Sequence, residues 1–195
     1  MLVNGPKFTN LKSVGNHGLA QAFQQCQSLA DGPKFPNLTS IGDYGLDYAF
    51  NNCSSLTSVE LPSTLNSIGK YGCNYAFSES GIKAVENLSL SGIANYGCQG
   101  MFFGCADLEK VDGLSAESLS AYALSGMFSK CSSLTSVQDL HIDNSEDKNT
   151  AVSKCESMFQ NCDSLLSVGG LIKGLYGQRQ LRWMFRNCKS LKDAS

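Results

Sequence analysis

Charge is scarce in this chain. Asp, Glu, Lys and Arg make up only 16% of its 195 residues, and the net charge is −2. So weak a balance creates no overall field to gather nucleic acid or a membrane surface. Histidine is scarcer still, with His17 and His141 the two in the chain. No Cys-x-x-Cys pair occurs, and there is no Gly-x-x-x-x-Gly-Lys-Ser/Thr, Gly-x-Gly-x-x-Gly or Gly-x-Ser-x-Gly. Those are the arrangements that cradle phosphates or present a nucleophile. No apolar run approaches the ~18 residues of a membrane-spanning helix. The opening Met1-Leu2-Val3-Asn4-Gly5-Pro6 lacks the basic-then-apolar order of a secretory signal. The expectation is a protein with no enzymatic activity, no cofactor, no metal, no bound nucleic acid and no membrane insertion.

What the chain has in abundance is repetition. Ala49-Phe50-Asn51-Asn52-Cys53-Ser54-Ser55-Leu56 recurs as Ala/Met-Phe-x-x-Cys-x-x-Leu at 22–29, 101–108, 127–134, 158–165 and 184–191. A further copy from Ala76 carries Ser80 in place of Cys. The key phenylalanines are Phe23, Phe50, Phe77, Phe102, Phe128, Phe159 and Phe185, at intervals of 27, 27, 25, 26, 31 and 26 residues. A period in this range predicts a solenoid, each coil burying its apolar face on its neighbours. The whole of 1–195 reads as one such body of about seven coils. It begins and ends inside a repeat with no polar capping unit, which suggests a piece of a longer array or ends covered by partners.

Within a coil, Leu19, Ala22, Phe23 and Cys26 are spaced 3, 1 and 3, which predicts a short helix or 3₁₀ segment with one apolar face. The runs Leu56/Val59/Leu61, Leu108/Val111/Leu114, Leu134/Val137/Leu140 and Leu165/Val168/Leu171 predict one parallel strand per coil. A second extended piece is expected at Ser67-Ile68 and its equivalents. The polar, aperiodic stretch 141–150 reads as an insertion that bulges from one edge, often the binding edge of a solenoid. Nine cysteines cannot pair completely. Cys26, Cys53, Cys105, Cys131, Cys162 and Cys188 share one repeat position, and Cys73, Cys98 and Cys155 share another with leucines. Cysteine alternating with leucine behaves as a small buried hydrophobe, so all nine are expected as reduced core thiols. On a helix, Cys98/Cys105 and Cys155/Cys162 would lie ~10.5 Å apart, too far to share one tetrahedral ion.

The unit Leu56-Thr57-Ser58-Val59-Glu60-Leu61-Pro62, then Leu65, Ile68-Gly69 and Ala76-Phe77, resembles the BspA-type leucine-rich repeat. The later Met-Phe-x-x-Cys-x-x-Leu units resemble the related surface-protein repeats. The resemblance spans essentially the whole chain. It implies a right-handed solenoid with a parallel sheet on its concave face, and non-enzymatic binding, commonly adhesion or recognition at a cell surface. A secreted or surface location follows from the resemblance; the missing signal and the reduced thiols leave a cytoplasmic one open.

Three surface features are candidate partner sites. Glu60, Glu86, Asp112 and Gln138 follow the strand valines, with Asp139 beside the last. Strand alternation turns them outward, as a solvated edge or as a site for a basic partner. Tyr48, Tyr75 and Trp183 share the position two before the key Phe, where exposed aromatics anchor partners or pack laterally. The third feature is the basic end, Arg179, Arg182, Arg186, Lys189 and Lys192, which makes the charge of the chain asymmetric. Residues 1–170 carry 9 Lys/Arg against 16 Asp/Glu, whereas 171–195 carry 6 against 1. A rod polarised in this way is also a candidate for head-to-tail stacking in a larger assembly.

Overall fold

The structure, a computed structural model, describes residues 2–145, 153–175 and 179–194. The element that runs through every coil is a ribbon of overlapping β-turns. In the coil around Phe50, the N–H groups of Gly45, Asp47, Ala49 and Asn51 donate to the carbonyls three residues back. The alternate N–H groups of Tyr44, Leu46, Tyr48, Phe50 and Asn52 donate to the next coil, at Lys70, Gly72, Asn74, Ala76 and Ser78. The alternate carbonyls accept from the coil before. Every backbone N–H from Tyr44 to Asn52 is thus satisfied, alternately between coils and within the coil, as a buried donor requires.

This ribbon replaces the helices expected from the 3, 1, 3 spacing. No helix or 3₁₀ segment occurs among the described residues. A left-handed residue recurs every fourth position, as in Tyr44 (φ 56°), Tyr48 (51°) and Asn52 (58°), and then Tyr96, Gly100 and Gly104. Positive φ at the third residue of a four-residue turn breaks an α-helix. Leu46, Ala49, Phe50 and Cys53 nonetheless all point inward and are buried. Positions 3, 1 and 3 apart fit an exact period of four as well as one of 3.6, so eight residues of pattern do not separate the two. A partial signal lies at the second x of Phe-x-x-Cys, where Asn52, Gly104, Asn161 and Asn187 are types that tolerate the left-handed region, while Gln25, Glu79 and Lys130 adopt it in the other three coils.

Among the described residues nine strands complete the coils, all paired in parallel. β1 (Ser13–Val14), β2 (Ser40–Ile41) and β3 (Ser67–Ile68) form one sheet in the order β1-β2-β3. Single bridges carry its line onward from Ile68 to Ile93 and Leu119. The other sheet takes β4 (Ala84–Glu86), β5 (Ser89–Leu90), β6 (Lys110–Asp112), β7 (Ser115–Glu117), β8 (Ser136–Asp143) and β9 (Ser167–Lys173). β8 is long enough to pair with β6 at one end and β7 at the other, and β9 follows it along both. The strand expected at Val59–Leu61 is absent, and the earlier equivalents are reduced to single bridges at Asp31 and Lys34. Pro33, Pro36 and Pro62 fall in this region, and proline has no N–H to give a ladder.

The insertion begins later than the sequence suggests. His141, Ile142 and Asp143 belong to β8, and buried Asn144 accepts the Leu119 N–H at 2.7 Å. Residues 146–150 lie outside the described residues. The core is a set of columns. All seven phenylalanine rings stack face to face, with centroids 5.1–5.8 Å apart. Six turns of chain separate the seven stacked rings. The solenoid is therefore held by an aromatic stack inside and backbone ladders around it.

Candidate functional site

Two sequence candidates, the acidic ladder and the aromatic position, come apart in the structure. Glu86, Asp112 and Gln138 sit in register on β4, β6 and β8. Their side chains face away from the buried Val85, Val111 and Val137, because neighbours on a strand alternate. Asp139 is exposed beside Gln138 in the left-handed conformation, φ 49°, where β8 and β9 slip register. Glu60 belongs to the same repeat position but lies on a segment with no strand. Its carboxylate instead meets Lys34 Nζ of the coil before, at 2.8 Å. Glu86 is likewise engaged by Lys110. Acidic side chains stacked at one strand spacing repel, and these two lysines offset that repulsion. What remains open to a partner is a strip of acid and amide edged by lysine.

The aromatic position divides as well. Tyr48 and Tyr75 are half-buried and stack at 5.2 Å, and Tyr75 meets the edge of Phe103 at 5.5 Å. A Cβ added at Gly100 would come within 2.5 Å of the Tyr75 ring, so that ring lies directly over the next coil. These two tyrosines therefore spend their faces on neighbouring coils. Trp183 remains 44% exposed, with the Arg182 guanidinium 3.7 Å and that of Arg186 5.4 Å from its ring. A separate ladder, His17, Tyr44, Tyr71, Tyr96 and Tyr122, runs at 4.9–5.0 Å between rings. It stops where Ser153, buried, takes the tyrosine position.

The cysteines have a task that the sequence did not reveal. Cys53, Cys105, Cys131, Cys162 and Cys188 each donate Sγ–H to the carbonyl of the key phenylalanine one coil earlier, at 3.0–3.2 Å. In the divergent copy, Ser80 Oγ makes the same bond to Phe50 at 2.6 Å. All nine cysteines are free thiols. Burial pushes Cys105, Cys155 and Cys162 up to about 12 and Cys53 up to about 11. A thiol so hard to ionise is a poor nucleophile and a poor metal ligand. The helical distance that argued against a shared ion no longer applies, since these cysteines do not lie on a helix. Among the described residues no cluster of His, Cys, Asp or Glu is arranged to hold a metal.

The repeat matches a known sequence family. The model of the BspA-type leucine-rich repeat region fits in six copies across residues 19–192. The chain belongs to the BspA-type leucine-rich repeat family. No curated protein matches this BspA-type chain in sequence. Among solved structures, a leucine-rich repeat protein from Bacteroides ovatus is similar at 20% identity with a TM-score of 0.47. It aligns with 98% of this chain and 55% of its own. A leucine-rich cell surface protein from Faecalibacterium prausnitzii is similar at 17% identity and a TM-score of 0.31, over 98% of this chain and 59% of its own. The BspA-type chain thus spans little more than half the length of either.

Proposed function

We propose that this chain is a non-enzymatic protein-recognition module that meets its partners on the solenoid surface, in adhesion or recognition at a cell surface. The observation that carries the reading is the register of Glu86, Asp112 and Gln138 on three adjacent strands. Strand pairing fixes their spacing near ~4.8 Å, so a partner meets a pre-organised row and loses little entropy in ordering it. The chemistry favours a basic or amide-rich protein surface. The surface location rests on the family's usual setting. Binding of wild type and the Glu86→Lys/Asp112→Lys double variant to a panel of purified extracellular domains tests the site. At least one binder should weaken tenfold or more in the double variant. If every binder keeps its affinity, the row is not the site. Antibody labelling of intact against permeabilised cells tests the location, and staining only after permeabilisation would overturn it.

A second reading, self-stacking, has the charge asymmetry in its favour, with 6 Lys/Arg against 1 Asp/Glu in residues 171–195 and 9 against 16 in residues 1–170. Light scattering that stays monomeric across concentration and salt would remove this reading.

A further inference from the structure

One inward column changes character along the rod. Val59, Val85, Val111, Val137 and Val168 occupy the same repeat position, and the last four are paired directly in register. One coil earlier the position is Gly32. Its φ lies outside the left-handed region, so no backbone demand excludes a side chain there. An added Cβ would meet only Leu56 Cδ1, at 3.2 Å. Gly32 borders a cavity of about 30 Å³ that Phe50, Leu56, Val59 and Phe77 also line. That volume is open to small groups, since about 10–15 Å³ on this measure already admits a water.

The cavity opens where the backbone is also incomplete. At every other level a rung joins neighbouring coils just before the valine position: Ala30 N–H to Val3, Lys83 to Thr57, Glu109 to Lys83, Thr135 to Glu109 and Leu166 to Thr135, at 2.9–3.1 Å. The equivalent rung from Thr57 to Ala30 is absent, and no backbone group of Ser58–Leu61 has a partner among the described residues. The Lys34–Glu60 ion pair spans the gap at the surface. Outside it lies a groove of about 580 Å³ between Lys7 and Lys34 on one side and Glu60 and Pro62 on the other.

We propose that this cleft binds an extended peptide segment of a partner protein, seating one valine-sized side chain in the cavity beside Gly32. The partner's backbone runs along Ser58–Leu61, whose unpaired N–H and C=O groups supply the strand-addition contacts. Three features select this occupant. The cavity borders Gly32, at the repeat position that valine holds in five other coils, the adjoining backbone of Ser58–Leu61 lacks partners among the described residues, and the opposite charges at the mouth complement the dipoles of an incoming peptide. The site lies apart from the Glu86–Gln138 row, so its failure would leave that reading standing.

The test is amide chemical-shift mapping of the full chain with blocked pentapeptides of sequence Thr-Ser-Xaa-Ser-Thr, where Xaa is Val, Gly or Phe. The Val peptide should shift the amides of Gly32 and Ser58–Leu61 and bind on the order of tenfold tighter than the Gly peptide, which lacks the anchor, or the Phe peptide, which is too large. Gly32→Val should fill the cavity and abolish those shifts while leaving the remaining spectrum in place. Equal binding by the three peptides, shifts located elsewhere, or no shifts up to the solubility limit would overturn the proposal. So would undiminished binding by folded Gly32→Val. The peptide series on wild type decides the matter even if that variant fails to fold.

Discussion

The stretch up to Ile68 and the stretch from Ala84 onward solve the same stacking problem with different backbone. In the first, the paired strands are two residues long, at the Ser-Val/Ile step, and all four prolines of the chain fall between Pro6 and Pro62. In the second, proline is absent, and the two extended pieces of a coil merge into the eight-residue β8 and seven-residue β9. The turn ribbon and the phenylalanine stack pass through both without interruption. The difference teaches that the sheet is an optional part of this solenoid and the ribbon with its stack is the obligatory one.

If that is right, removing a ring should cost the same in either half. Phe50 and Phe128 are each about 1% exposed or less, and each lies between two stacked rings. Phe50→Ala and Phe128→Ala should each lower stability by ~3–5 kcal/mol, the usual cost of emptying a large core position. Urea unfolding measures both. A Phe50→Ala cost well under half that of Phe128→Ala would mean that the first half is held by something other than the stack.

Proline substitution should separate the halves instead. β6 has a strand on each side, so every N–H in it faces a partner. Asp112→Pro should cost about 2–3 kcal/mol, from a lost ladder bond and an orphaned carbonyl on the neighbouring strand. Glu60→Pro falls where no ladder exists and should change stability by about 0.5 kcal/mol or less. Equal costs would show that Ser58–Leu61 is paired in solution.

The sequence carried more of this fold than of its surface. The period, the columns and the register of Glu86 with Asp112 and Gln138 all follow from spacing, because stacked coils impose translation on every position. The ribbon did not follow, because inward positions alone cannot tell a four-residue turn from a 3.6-residue one. Glu60 shares its repeat position with Glu86 yet has a different partner, since Lys34 lies one coil earlier and no local pattern announces the pairing. The Gly32 vacancy was present in the alignment of Gly32 with Val59. A missing side chain reads as a loop glycine until its φ is known.

Alkaline pH should press harder on the second half. The Cys105, Cys155 and Cys162 thiols are pushed up to about 12 by burial, against about 11 for Cys53. Below pH ~8.5 folded and unfolded chains both keep these protons, so stability there is independent of them. Above it the unfolded chain loses thiol protons that the native state retains, and stability falls as pH rises toward about 12. The slope is up to about 1.4 kcal/mol per pH unit for each such thiol. The urea midpoint should therefore drop between pH 8 and 10.5, and the drop should shrink in Cys105→Ala. An unchanged slope in that variant would mean that Cys105 does not titrate as a buried thiol.

The smallest expected effect tests what the cysteine column is for. Ser80 is the one place in it where an oxygen stands for sulfur, and its hydroxyl does two things at once. It donates to the Phe50 carbonyl at 2.6 Å and accepts the Cys53 N–H at 3.2 Å. In the other coils that N–H bonds the phenylalanine carbonyl of its own coil, as Cys105 does to Phe102. Ser80→Cys should gain apolar burial, keep the donated bond in weaker form, and release the Cys53 N–H to Phe50. These changes oppose one another, so the net effect should stay within about 0.5 kcal/mol. Ser80→Val keeps the apolar volume but removes the donor and should cost about 1 kcal/mol or more. If Val is tolerated as well as Cys, the thiols serve the core as hydrophobes alone, and the carbonyl contact seen at five cysteines is incidental to stability.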